Sequence, residues 1–101
     1  MQKLSPGVHQ MSVFGNEFDS GSFCWMIDDE LWLSMIIVKE EYRRKGVLHR
    51  LLDAAKNVSD IVVIPEPMGV VPRTAAKHGY IASKRWIEDY GEYIDVMEWQ
   101  R

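Results

Sequence analysis

The chain has one cysteine, no long hydrophobic run and no excess of basic residues. Each shortage closes off a class of function. With Cys24 alone, no internal disulfide can form, and a reducing, cytoplasmic setting is the simplest expectation. No segment approaches the roughly 20 apolar residues that a membrane-spanning helix needs. Met1 to Pro6 are not followed by an apolar run of the signal-peptide kind. Twelve Lys and Arg stand against fifteen Asp and Glu, a formal net charge of -3. That balance argues against a dedicated nucleic-acid binder. His9, His49 and His78 show no metal-ligand spacing with Cys24 or with one another, so no metal is expected. There is no serine-centred nucleophile motif. Repeats, low-complexity tracts and long linkers are also missing, and the reading is one domain over 1–101.

What is present is a globular composition, 47% hydrophobic and 27% charged, with four tryptophans as large apolar bodies for a core. Alternation suggests a strand over 8–14, and a turn-rich stretch follows over 15–21. Residues 22–27 are aromatic and apolar and suit a second strand. Asp28, Asp29 and Glu30 form a short polar break. The almost continuous apolar run over 31–38 predicts a central strand buried on both faces. Val47, Leu48, Leu51, Leu52, Ala55 and Val58 then recur at helical spacing, with His49, Arg50, Asp53, Lys56 and Asn57 on the other face. The β-branched run 61–64 predicts a parallel strand, which completes a βαβ unit. A short helix over 71–77 stops at His78-Gly79. Residues 81–88 and 93–99 read as a final antiparallel pair around the turn 89–92. The order is βββ-α-β-α-ββ, an α/β (α+β) domain with a mixed sheet.

The most informative stretch is 36–48. An apolar strand runs into a basic turn with one glycine, and an amphipathic helix starts at once. Backbone N–H groups and cations then converge on one spot, which suits a phosphate or pyrophosphate. The same residues also suit a solvated turn in which Glu40 and Glu41 pair with Arg43 and Arg44.

Val38, Glu41, Tyr42, Arg43, Lys45, Gly46 and Val47 resemble the acyl-CoA-binding motif of GNAT-type N-acetyltransferases, Arg/Gln-x-x-Gly-x-Gly/Ala after an apolar strand. Glu40 stands where that family often has proline, and Leu48 where it usually has a small residue. The resemblance implies a GNAT-like fold, shortened by the family's first strand and first two helices. It implies acetyl-CoA as cosubstrate. Backbone groups of Ile36, Ile37 and Val38 would meet the pantetheine arm. Arg43, Arg44, Lys45, Gly46, Val47 and Leu48 would wrap the pyrophosphate, where the helix dipole favours anions. The missing helices would leave apolar sheet surface to be covered by a partner, a second copy or the N-terminus, so a homo-oligomer is expected.

The family's proton-donating tyrosine falls on Ala75, within Thr74 to Tyr80. Alanine donates no proton, which leaves the catalytic residues open. His78 offers an imidazole but sits where a histidine commonly meets helix-end carbonyls. Glu30 and Glu40 flank the central strand and can act as bases through water. Tyr90 and Tyr93 lie at the final turn, Tyr80 at a core position, and Ser34 is the polar residue of the central run. Cys24 reads as buried and inert.

Three functions remain. The first is acetyl transfer to an unidentified primary amine by direct attack, with positioning supplying much of the rate. The second is a GNAT-fold module that binds or interacts without turnover. The third, nucleic-acid binding through Arg43, Arg44, Lys45, Arg50 and Lys56, is the least supported.

Overall fold

The computed structural model describes residues 8–12, 20–38 and 46–101. Their elements follow one another as β1 (Val8–Ser12), β2 (Ser20–Ile27), β3 (Glu30–Val38), α1 (Val47–Lys56), β4 (Ile61–Pro65), α2 (Val71–Lys77), β5 (Ile81–Ile87) and β6 (Glu92–Gln100). The six strands form one mixed sheet in the order β1-β2-β3-β4-β6-β5. Only β3 and β4 run parallel; the other neighbours are antiparallel. No helix among the described residues is long and apolar enough to cross a membrane.

The β2–β3 loop is tighter than the three-residue break read from the sequence. Asp28 and Asp29 both take positive φ, 49° and 65°, which suits a two-residue hairpin turn. Glu30 therefore enters β3 opposite Ile27. Farther along, Phe23 pairs with Ser34 but Gly21 pairs with Ile37, so Met35 and Ile36 oppose Ser22 alone. This bulge puts one extra residue into β3. Ile36 thereby joins Leu31 and Leu33 in packing on the helix side.

Both helices lie on that side. In α1 the buried residues are Val47, Leu51, Leu52 and Ala55, at the spacing of one helical face. Asn57 caps the helix; its N–H bonds Ala54 O, and the N–H of Val58 bonds Ala55 O. Val58 accordingly lies beyond the helix, although it still packs on the core. The following Ser59 is fully buried and donates to Asp29 O at 2.9 Å, tying the α1–β4 loop to the β2–β3 turn. Helix α2 carries proline in its first turn and ends on Gly79 at φ 85°. There Gly79 N–H bonds Ala76 O and Tyr80 N–H bonds Ala75 O, the pairing of a glycine-terminated helix.

The helix-side core joins Leu31, Leu33, Leu52, Ala55, Val62, Ile64, Ala75 and Tyr80. Fully burying a side chain such as Leu52 contributes about 1.5–3 kcal/mol. The opposite face carries a smaller cluster of Trp32, Val63, Ile94 and Val96, flanked by Trp25, Ile61 and Ile87. Among the described residues no helix covers this face. It is not bare, because Arg85 reaches from edge strand β5 to Glu30 on β3 and so passes above β6 and β4.

Candidate functional site

Strands β3 and β4 part company early. Their register covers Leu31↔Val62 and Trp32↔Val63, whereas β2 stays paired with β3 as far as Ser20↔Val38. β4 turns instead to β6, with which it pairs from Ile61↔Gln100 to Pro65↔Val96. A gap therefore opens beyond Trp32 and Val63. Ile36, Ile37 and Val38 lie on β3 past the point where pairing with β4 ends.

Helix α1 starts beyond that strand. Gly46 is its N-cap in the left-handed region, φ 77°, and a Cβ there would meet no atom within 4 Å. Among the described residues no side chain caps this end, and its first turn holds no acidic residue. The bulk of Leu48 is directed into the helix-side core, so the amides of the first turn are not crowded by it. Arg43, Arg44, Lys45 and Glu40 lie outside the described residues.

On the helix-free face the gap borders a cleft of about 710 Å³. Its lining includes Ser34 of β3 and Pro65 and Glu66 at the end of β4, so it reaches both sides of the gap. Aromatic rings of Trp25, Trp32, Trp86 and Tyr90 also line it. Trp32 is 7% exposed, and its indole N–H has no hydrogen-bond partner among the described residues. Arg85 forks Glu30 at 2.9 and 3.0 Å and also bonds Glu98. Glu30 first, and then Glu98, raise the Arg85 pKa above its ordinary value against the opposing cost of burial. Glu30 is thus the partner of a structural cation. The expectation that it serves as a general base does not fit this engagement.

The remaining sequence candidates separate. Tyr90 is 70% exposed and lines the cleft. Tyr93 lies edge-on to Trp86, with centroids 5.1 Å apart. His78 does not line the cleft. It caps α2, where Nδ1 meets Asp53 Oδ1 at 2.9 Å and Nε2 meets His49 Nδ1 at 2.7 Å. Its ring thus engages side chains of α1, and its own carbonyl accepts from Lys56 Nζ. Tyr80 is buried and donates to Leu52 O at 2.9 Å, a core role. Ala75 is fully buried on the helix side. Cys24 is also fully buried, and burial pushes its thiol up to about 11. Among the described residues no group of three His, Cys, Asp or Glu could hold a metal.

Sequence reading missed the Arg85–Glu30–Glu98 cluster and the three-tryptophan lining. The available signal was Arg85 itself, a cation alternating with Ser83 and Ile87 on one face of an otherwise half-buried strand.

No protein-family model and no curated protein matches this sequence. Solved structures do. A protein of Agrobacterium tumefaciens assigned as an acetyltransferase is similar at a TM-score of 0.70 and 17% identity, over 98% of this chain and 78% of that one. An acetyltransferase of Bacillus cereus aligns at 0.60 and 19% identity, over 96% and 74%. The ribosomal-protein-S18-alanine N-acetyltransferase of Escherichia coli aligns at 0.61 and 16% identity, over 92% and 68%. The chain has a GNAT-type fold. Identities this low carry the fold alone. In the GNAT frame, β3 is the central strand and α1 the helix that follows it. The helix-free cleft lies on the sheet face opposite α1 and α2.

Proposed function

We propose that the chain binds acetyl-CoA along the β3–β4 gap and transfers the acetyl group to a primary amine that enters through the helix-free cleft. The observation that carries this reading is the early end of β3–β4 pairing. It leaves β3 backbone past Trp32 beside a gap that one long cleft borders. An extended pantetheine arm hydrogen-bonds there in the manner of an added strand.

The start of α1 fits the phosphate end of the same ligand. It has glycine at a left-handed N-cap, no capping side chain among the described residues and no acidic residue in its first turn. Its N–H groups and dipole then remain for an anion. Leu48 does not obstruct, because its side chain packs inward. In the sequence, the cationic residues Arg43, Arg44 and Lys45 directly precede Gly46.

Transfer proceeds by direct attack. The neutral amine nitrogen adds to the thioester carbonyl, the carbon–sulfur bond breaks and the amide forms. The amine proton leaves to water, and the departing thiolate takes a proton from water, since Ala75 has none to give. Holding the two reactants together supplies much of the acceleration.

Thermal unfolding with acetyl-CoA, and with ADP as control, tests the reading. Ligand at a hundred times its dissociation constant adds about 2.7 kcal/mol of stability. A rise with acetyl-CoA, followed by release of free thiol in the presence of an amine, is expected. No rise at millimolar acetyl-CoA would refute it.

A further inference from the structure

We propose that the helix-free cleft takes an aliphatic polyamine, an amine with at least two ammonium groups joined by methylene spacers. That this polyamine is also the acetyl acceptor rests on the function proposed above.

Charge makes the first argument. Among the described residues five carboxylates line the cleft, those of Asp28, Glu30, Glu66, Glu88 and Asp89, against one cation, Arg85. Arg85 is already engaged by Glu30 and by Glu98. The excess therefore resides in Asp28, Glu66, Glu88 and Asp89, all exposed along the rim. Spread-out carboxylates attract a cation with several charges more strongly than one with a single charge.

Between those charges the lining is aromatic and aliphatic. Trp25, Trp32, Trp86, Tyr90, Ile87 and Ile94 offer rings and methyl groups to methylene spacers. Ring faces also attract ammonium groups directly. The rim orients one of these rings, since Glu88 accepts from Trp86 Nε1 at 2.7 Å.

Trp32 adds an independent observation. Its ring lines the cleft, it is 7% exposed, and its N–H is a buried donor without an acceptor among the described residues. Such a donor is costly to leave unmet. An unprotonated nitrogen of the polyamine other than the attacking one can accept from it, which leaves the attacking lone pair free. The cleft volume of about 710 Å³ falls in the range of small-molecule sites.

Titration of tryptophan fluorescence in the full chain with spermidine tests this, with butylamine and a neutral alanine-terminated tetrapeptide as comparisons. A saturable change with spermidine is expected, at least tenfold tighter than with butylamine, and weakening as salt rises. The double variant Glu88→Gln, Asp89→Asn keeps the Trp86 acceptor and is expected to bind spermidine about tenfold more weakly. Asp28→Asn provides a second variant at a position whose positive φ asparagine tolerates. Equal affinity for butylamine, unchanged affinity in both variants, or tighter binding of the tetrapeptide would overturn the polyamine. Acetyl-CoA stabilisation without spermidine binding removes only the polyamine. Spermidine binding without acetyl-CoA stabilisation keeps the cleft assignment and removes acetyl transfer.

Discussion

Arg85 of β5 and Glu30 of β3 are joined by two hydrogen bonds, at 2.9 and 3.0 Å, although β6 and β4 lie between their strands. The guanidinium also bonds Glu98 of β6 and stands 6.0 Å from the Trp32 ring. Beneath this bridge Val63 is fully buried and Val96 nearly so. Three ionic side chains thus help close a sheet face that no described helix covers. Arg85→Met leaves two partly buried carboxylates facing each other without a cation. A loss of about 2 kcal/mol is expected, below the 3–5 typical of deeply buried pairs because these groups keep some solvent. Urea unfolding measures it, and the double change Arg85→Met, Glu30→Gln should recover part of the loss. An unchanged midpoint would mean that the bridge is decorative.

Alkaline pH should weaken the fold. Burial holds the Cys24 thiol up to about 11, against 9.0 for the free group. Burial, with the Asp53 charge adding, also holds the Tyr80 phenol well above its ordinary 10.0. Both groups are neutral in the folded chain and ionise sooner in the unfolded one. Their stabilisation is complete below pH 9 and is lost as pH rises from there through 11, with Tyr80 following from pH 10 upward. Denaturant titrations at pH 7, 9 and 10.5 read this directly, and a flat profile would contradict it. Native Cys24 should resist alkylation at pH 8 and react only on unfolding.

Gly46→Val separates strain from ligand binding. A Cβ at this position meets nothing within 4 Å, so the cost is conformational. A β-branched residue at φ 77° loses about 1–2 kcal/mol, which a cooperative fold survives. Under the proposed function the variant stays folded by circular dichroism but loses stabilisation by acetyl-CoA. Retained stabilisation would move the phosphate contacts away from this turn.

Ala75→Tyr restores the residue type that the family resemblance places there, yet it should not restore a proton donor. Ala75 is fully buried against the helix-side core that includes Leu52 and Ala55. A phenol ring there overpacks the core, at a cost of about 1–3 kcal/mol or more. A lowered melting point with no gain in turnover is expected. A faster, equally stable variant would show that the α2 core yields to the ring.

Much of the architecture was legible because it depends on local pattern. The helix-spaced apolar residues from Val47 to Ala55, the β-branched run before Pro65 and the His78-Gly79 stop each appear near the expected place. Leu48 was legible only in part. Its bulk stood out in the motif, but its inward direction depends on how α1 rests on the sheet. The β3 bulge was not legible, because Met35 and Ile36 differ from their neighbours in no way that marks an extra residue. His78 was singled out as a titratable group, but its partners Asp53 and His49 lie 25 and 29 residues away.

The sequence by itself determined the periodicities, hence which segments are strands and which are helices. It also determined the single glycine that opens α1, because only glycine sits without strain at that φ. Tertiary structure alone decided where β3 leaves β4, since that depends on β4 choosing β6 as its longer partner. It likewise brought Glu30, Arg85 and Glu98 together, and set Trp25 and Trp32 across from each other in one cleft wall. Pairing between strands far apart in the chain is a contest among whole registers. No local run of residues carries that outcome.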